Sequence, residues 1–409
     1  MGGKQTVSNP LMPVAEALAR LVDEVDARPA ETIALSKANG RVLAENIAST
    51  RTQPPFAVSA MDGYAIRHED LAACPAQLTV IGEAPAGHGF QGKVGTGQAV
   101  RIFTGAPLPE GADTILIQEN TTRASETVTA LEQPAAGAFV RPAGLDFKTG
   151  DVLLRAGRSL NYRDLALAAS MNHAQLPVRR KPVVAILATG DELVPPGAEP
   201  GPDQIIASNH AGIAALVEDC GGTPLDLGIS RDNPRELVSH VRRALEAKAD
   251  ILVTLGGASV GDHDLVQDVL GKEGMDLSFW RIAMRPGKPL MAGRLGHTKV
   301  LGLPGNPVSS LVCGLLFLKP LLSKMLGRDD QEPQFGYAVL GAPLPENDRR
   351  QDYIRAGLNL GDDGQPIASP FQKQDSSMLG LLAQSGALIV RPPHATAASA
   401  GDKVQIIRL

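Results

Sequence analysis

The sequence predicts a multidomain α/β plus β protein whose centre, residues 181–328, is a doubly wound parallel-sheet α/β domain. Three observations predict it. A chain of 409 residues is too long for one hydrophobic core. From Lys181 onward, short apolar runs alternate with amphipathic helical patterns, which implies parallel strands joined by crossover helices. On both sides of this region the chain reads mostly as short strands, separated by turns rich in its 43 Gly and 31 Pro.

Taken in order, the first element is a helix from Pro13 to about Val25. Pro13 suits a first helical turn, and Val14, Ala17, Leu18, Leu21, Val22 and Val25 share one face. The pattern breaks at Pro54-Pro55. Short strands follow at Leu78–Ile81, Ala99–Phe103, Thr114–Gln118 and Thr127–Leu131, forming a small β domain. A helix over about Arg163–Met171 comes next, so residues 53–146 read as an insertion into a unit built from 1–52 and 147–180. Val183–Leu187 is a continuous apolar run, as a strand buried on both faces requires. A helix starts near Asn209 and stops at Gly221. Asp232-Asn233-Pro234-Arg235-Glu236 opens another, with a polar cap, Pro in the first turn and Glu soon after. Strands Ile251–Leu255 and Val300–Leu303 precede helices Asp264–Leu270 and Val308–Leu322. Residues 329–409 return to short strands, ending in Lys403–Leu409.

Composition excludes several classes. A net charge of −5 argues against a broad nucleic-acid footprint, and 3% aromatics leave little surface for stacking bases. Cys74, Cys220 and Cys313 share no metal-ligand spacing and are an odd number for a disulfide framework, which fits a reducing cytoplasm. The N-terminal MGGKQTVSNP has no apolar signal segment, and Val308–Leu322 is too short to span a bilayer, so no membrane is expected. HExxH, CxxC, GxSxG and Walker A patterns are absent.

Ligands of parallel α/β sheets sit beyond the carboxyl ends of the strands. Three such ends carry unusual loops here: Ala188-Thr189-Gly190-Asp191-Glu192, Gly256-Gly257-Ala258-Ser259-Val260-Gly261-Asp262-His263-Asp264, and Pro304-Gly305-Asn306-Pro307. Glycines let backbone N–H groups approach a phosphate. Asp191, Glu192, Asp262 and Asp264 would repel that phosphate unless a hard cation such as Mg²⁺ bridges them. Any one loop also reads as a turn with helix caps. Arg281, Arg285 and Lys288 lie among Pro286, Gly287 and Pro289, which suits either an oxyanion-binding loop or a solvated basic edge. Asp62-Gly63 and Arg141 to Asp146 read locally as turns.

The ordered set of motifs resembles the molybdopterin molybdenumtransferase (MoeA) family, which is related to the gephyrin E domain. It is carried by SAMDGYA at 59–65, RIFTGAPLPEGADTI at 101–115, RPAGLD at 141–146, ATGDEL at 188–193, GGASVGDHD at 256–264, MRPGKP at 284–289 and LPGNPVS at 303–309. The resemblance implies an elongated dimerisation domain (1–52 with 147–180), an inserted β domain (53–146), a central domain like that of molybdopterin adenylyltransferases (181–328) and a β-barrel-like C-terminal domain (329–409). It implies a homodimer that inserts molybdate into adenylylated molybdopterin with Mg²⁺ and releases AMP. Handover from an adenylyltransferase and to molybdoenzymes would follow.

By the same resemblance, Asp62, Asp146, Glu192, Asp232 and Asp264 are catalytic, with Asp62 and Asp146 reaching in from the partner subunit. Asp191, Glu192, Asp232, Asp262 and Asp264 hold the metal. Thr189, Gly190, Gly256, Gly257, Ser259, Gly261, Pro304, Gly305, Asn306 and Pro307 hold the pterin and its phosphates, and Thr104 and Arg141 are further ligand-binding positions. Arg281, Arg285, Lys288, Ser309, Arg355 and one of Ser376 or Ser377 receive the oxyanion. A tetrahedral dianion needs such cationic and hydroxyl donors, so the acidic and basic sets imply two subsites. The chain departs from the family in Arg281 and Arg285, where lysine is usual, in Ala188 for a common serine, and in Gln267 for a frequent lysine. A pure adenylyltransferase lacks SAMDGYA and RPAGLD. A pure scaffold would not need the acidic residues.

Overall fold

The computed structural model describes residues 11–257, 265–328 and 335–409. Helix Val14–Val22 ends earlier than the sequence pattern suggests, because Asp23 is extended and Glu24 turns to a positive φ of 52°. Its apolar face is buried: Ala17 and Leu21 pack in the same cluster as Leu321, Leu322 and Met325 of the central region.

Strand Ala30–Ala34 pairs antiparallel with Gln175–Arg179, and Ile47–Ala48 pairs with Val152–Leu154. Helix Tyr162–Ser170 packs beside them, started by a reciprocal cap between Asn161 and Asp164. Leu43, Phe147, Leu154, Leu160, Met171 and Leu176 form the small core of this unit. Both halves of the chain flanking the inserted segment thus share one core.

The inserted segment is a six-stranded sheet in the order Thr114–Ile117, Gly63–Ile66, Gln98–Ile102, Ala76–Ala84, Thr127–Ala130 and Thr121–Ala124. Strand Gly63–Ile66 begins inside the SAMDGYA segment. A side chain at Gly63 would place its Cβ 2.1 Å from the Leu116 carbonyl oxygen of the neighbouring strand, so only glycine fits.

The central sheet runs Thr223–Ser230, Val183–Thr189, Ile251–Leu255, Thr298–Leu303, Pro289–Leu295 and Asp276–Arg281. The first four are parallel, as expected. The last two are antiparallel, so the sheet is mixed and not wholly parallel. A two-residue turn, Gly296-His297, is too short for a crossover and forces Pro289–Leu295 and Thr298–Leu303 into a hairpin. Helix Ser208–Asp219 and the helical run 307–325 cover one face, and Pro234–Glu246 with Leu265–Lys272 cover the other. The run 307–325 is the one described helix long and apolar enough to cross a membrane, and 78% of it is buried inside the protein.

After 335 the chain closes a five-stranded barrel: Gln351–Leu360, Pro366–Pro370, Phe335–Leu340, Lys403–Arg408 and Ala387–Arg391, the last pairing back on the first. Short strand Met284–Arg285 adds to it in parallel with Gln351 and Asp352, which fixes the barrel against the central domain.

Candidate functional site

A cleft of about 690 Å³ opens at the carboxyl ends of the parallel strands. Thr189, Gly190, Glu192, Asp232, Gly256, Gly257, Pro304, Gly305, Asn306, Pro307 and Ser309 line it, so the three loops singled out in the sequence meet in one place. Backbone geometry explains the glycines. Gly256 and Gly257 have φ of +95° and +63°. A Cβ would lie 2.7 Å from the Thr189 carbonyl oxygen at the first and 2.2 Å from Val266 Cγ2 at the second.

Acidic groups crowd one end of the cleft. Asp191 Oδ1 accepts a bond from the Asp232 backbone N–H at 3.2 Å. Partial burial, then repulsion from Asp191 and Glu192, pushes the Asp232 carboxyl above the ordinary carboxylate range. A cation would relieve this repulsion. Among the described residues no three His, Cys, Asp or Glu side chains are close enough to form a metal cage. Mg²⁺ does not require one, since it takes one or two carboxylates and fills the remainder with water and phosphate oxygens. Glu192 and Asp232 line this end of the cleft, with Asp191 bonded to the Asp232 backbone. Ser259, Gly261, Asp262 and Asp264 lie outside the described residues.

The three cations of 281–288 do not line the cleft. Arg281 stacks on the Trp280 ring, 4.9 Å from its centroid. Arg285 is held by carboxylates of the C-terminal region: its Nε donates to Asp352 Oδ2 at 3.0 Å, Nη2 also bonds Asp352, and Nη1 lies 3.5 Å from Asp348 Oδ2. The Asp348 carboxyl is lowered to about 2, first by its bonds from Arg350. Lys288 accepts at its carbonyl from Ile282 N–H, next to Pro289, which does line the cleft. Arg355 is 1% exposed and is bonded to the segment 374–378. Ser376 Oγ accepts from Asn306 Nδ2 at 3.0 Å, while Ser377 lines the cleft.

The inserted domain keeps its residues apart from this cleft within one chain. Asp62 Oδ1 accepts from both the backbone N–H and the hydroxyl of Thr104, each at 2.8 Å, and these bonds lower its carboxyl pKa. Arg141 and Asp146 line a second cleft of about 480 Å³ together with Arg51, Gln53 and Phe56.

Sequence reasoning missed one wall of the main cleft. Ile205, Ile206, Ser208, Asn209 and His210 line it. Asn209 Nδ2 donates to the Gly305 carbonyl at 2.7 Å, which ties the start of helix Ser208–Asp219 to the 304–307 loop. The available signal was an apolar pair, Ile205-Ile206, stranded in a polar loop just before an Asn at a helix start.

Three family models cover the chain in order: the MoeA N-terminal region (domain I and II) at 12–172, the probable molybdopterin binding domain at 185–324, and the MoeA C-terminal region (domain IV) at 337–409. A curated relative from a Nostoc species, named molybdopterin molybdenumtransferase, is 38% identical over 97% of this chain and 92% of its own length. One of the same name from Haemophilus influenzae is 36% identical over 92% and 93%. A solved molybdopterin biosynthesis moeA protein from Pyrococcus horikoshii superposes with a TM-score of 0.84 at 30% identity, covering 98% of this chain and all of that one. With a mixed-sheet cleft domain, an inserted β-sheet and a terminal barrel in the matching order, the chain belongs to the molybdopterin molybdenumtransferase (MoeA) family.

Proposed function

We propose that this protein is a molybdopterin molybdenumtransferase that inserts molybdate into adenylylated molybdopterin and releases AMP. The observation that carries the reading is the near-full-length likeness to curated molybdenumtransferases, which spans every segment of the cleft. The cleft chemistry supports it. Backbone N–H groups around Gly190, Gly256, Gly257 and Gly305 suit a phosphorylated pterin. Asp191, Glu192 and Asp232, with Asp262 and Asp264 in the adjoining loop, would hold Mg²⁺. That ion supplies charge neutralisation as the phosphoanhydride breaks.

The protein's own work is positioning. Pro304 to Pro307 and Ser309 fix the pterin side of the cleft, and Ser377 faces them from the C-terminal domain. Lys288 adjoins Pro289, which lines the cleft, and would supply the cation that attracts molybdate there. Asp62, Thr104, Arg141 and Asp146 serve the cleft of a second subunit in a homodimer. The fourfold domain division and a cytoplasmic site, with handover from an adenylyltransferase and on to molybdoenzymes, complete the reading.

The test is incubation of the protein with adenylylated molybdopterin, Mg²⁺ and molybdate, following AMP and metal incorporation together. AMP release that does not depend on molybdate would exclude insertion.

A further inference from the structure

We infer that Asp250 is a positioning residue: it clamps both crossings of the chain between the central domain and the unit built from residues 30–52 and 147–179, and so sets the angle at which that unit presents the inserted sheet. The inference rests on the proposed function above, in which the inserted sheet serves the cleft of a second subunit.

The chain passes between these two bodies twice. It leaves helix Val14–Val22, which packs on the central core, through residues 23–29, and it returns through 180–182 into strand Val183–Thr189. Each body has a hydrophobic core of its own, one including Val253, Leu301 and Leu322, the other Leu43, Met171 and Leu176. Bodies with separate cores move relative to one another unless something specific holds them. The two crossings lie side by side: Arg180 N–H donates to the Pro29 carbonyl at 2.9 Å, and Arg179 Nη1 to the Arg28 carbonyl at 3.0 Å. They continue into the two-stranded ribbon of Ala30–Ala34 and Gln175–Arg179. Two strands alone make a marginal structure, so the angle of the ribbon depends on what anchors its base.

Asp250 is that anchor. It precedes strand Ile251–Leu255, at the end of the sheet opposite the cleft, and it is 5% exposed. Its Oδ1 accepts from Arg28 Nη1 of the first crossing at 2.9 Å and from Arg180 Nη2 of the second at 2.8 Å. Its Oδ2 accepts from Arg180 Nη2 at 3.0 Å and from the Val183 N–H at 2.7 Å. The Asp250 backbone is fixed in turn: its N–H donates to the Val183 carbonyl at 2.8 Å, and its carbonyl accepts from Lys299 N–H at 3.0 Å. One carboxylate thus holds both crossings while the central sheet holds it. Buried ion pairs add little net stability, so the worth of this one lies in fixing a single geometry.

Two nitroxide labels read that geometry. One sits on Cys74, exposed just before strand Ala76–Ala84 of the inserted sheet, and the other on Glu246→Cys, at the exposed end of helix Pro234–Glu246. Cys220 and Cys313 are buried and stay unlabelled. Pulsed EPR gives the distance distribution, with singly labelled chains supplying the interchain background. Asp250→Asn keeps the shape of the side chain and removes the charge that pairs both arginines. It should broaden or shift the distribution. In the same variant kcat for molybdate-dependent AMP release should fall roughly 10–100-fold, the loss expected when a reacting group is displaced by about 1 Å. Affinity for AMP with Mg²⁺ should match the parent, because Asp250 does not line the cleft. Arg28→Gln and Arg180→Gln each free one crossing and should fall between the two. Asp164→Asn is the control: Asp164 is a comparably buried carboxylate, paired with Arg158 inside one body. It should lower the melting temperature and leave both the distance and kcat at parent values. An unchanged distribution in Asp250→Asn overturns the inference, and so does a changed distribution with parental kcat. Should Asp250→Asn fail to fold, the two arginine variants decide by the same criteria. A parent without molybdate-dependent AMP release would sink the proposed function, while the distance distributions still decide whether Asp250 clamps the crossings.

Discussion

Two residues show how charge is managed around the cleft. Asp232 lies near Asp191 and Glu192, and its carboxyl holds a proton more tightly in the folded state than in the unfolded chain. Such a group favours folding while protonated and loses that contribution as pH rises through its folded pKa. At neutral pH, therefore, Asp232→Asn should melt at the same or a higher temperature than the parent, the gain shrinking toward acidic pH. Since Asp232 is mostly exposed, solvent keeps this gain small. The same variant should lose roughly 10–100-fold in Mg²⁺-dependent AMP release, the range typical of disturbed metal sites. A drop in melting temperature at neutral pH would mean that Asp232 is a structural cap. Arg285 is the converse case. It pairs with Asp352, whose side chain is 8% exposed and whose Oδ1 has no hydrogen-bond partner. Burial raises the Asp352 carboxyl, and Arg285 opposes that rise. Arg285→Ala leaves a buried carboxylate unpaired and should cost about 1–3 kcal/mol of stability. The loss should be full at pH 8 and smaller near pH 4 (roughly where such carboxyls take up protons), because a protonated Asp352 needs no cation. Thermal melts at the two pH values check this, and a loss independent of pH would exclude it.

At the scale of elements, glycines set the approach of neighbouring strands. Gly63 sits against the Leu116 carbonyl, where an added Cβ at 2.1 Å has backbone, not a flexible side chain, as its neighbour. Gly63→Ala must push strands Gly63–Ile66 and Thr114–Ile117 apart and should cost about 1–3 kcal/mol. Limited proteolysis of the inserted sheet alongside a thermal melt would detect it; unaltered cleavage and melting would refute it. This glycine was visible in the sequence only as part of a turn, because the clash comes from a strand some fifty residues away (roughly, at a mean loop length far above a hairpin's). Local patterns were more legible where they were self-contained. The polar segment Asp232 to Glu236 opens helix Pro234–Glu246 as read, with Asn233 as its cap, and the glycine loops after Val183–Thr189 and Ile251–Leu255 reach one cleft because parallel strands put all their carboxyl ends on one side. Asp276–Arg281 was not legible as an edge strand: its exposure pattern lacks a clean alternation, and Trp280 to Pro289 carries loop residues. The wall at 205–210 left only a faint trace, the apolar pair Ile205-Ile206, since it lines the cleft through the packing of helix Ser208–Asp219 on the 307–325 run.

For the whole molecule, the decisive arrangement is the separation of two sets of residues that the family resemblance assigns to one site. Glu192 and Asp232 line the main cleft, whereas Arg141 and Asp146 line another, and Asp62 is occupied with Thr104. A closed two-fold dimer can unite them, because symmetry that brings one inserted sheet over a partner's cleft does so twice. Mixed dimers make this testable. A chain carrying Asp62→Asn and Asp146→Asn keeps an intact cleft but offers a defective inserted sheet. A chain carrying Asp232→Asn has the reverse defect. Each alone should keep no more than about a tenth of the parent activity. Unfolded or dissociated together and reassembled at equal ratio, half of the dimers are mixed and each contains one complete site of two. Activity should return to about a quarter of the parent level. If each site were completed within one chain, every site in the mixture would carry a defect and no activity would return. Single-variant controls treated identically separate that outcome from failed refolding, and a sedimentation measurement confirms that exchange has occurred.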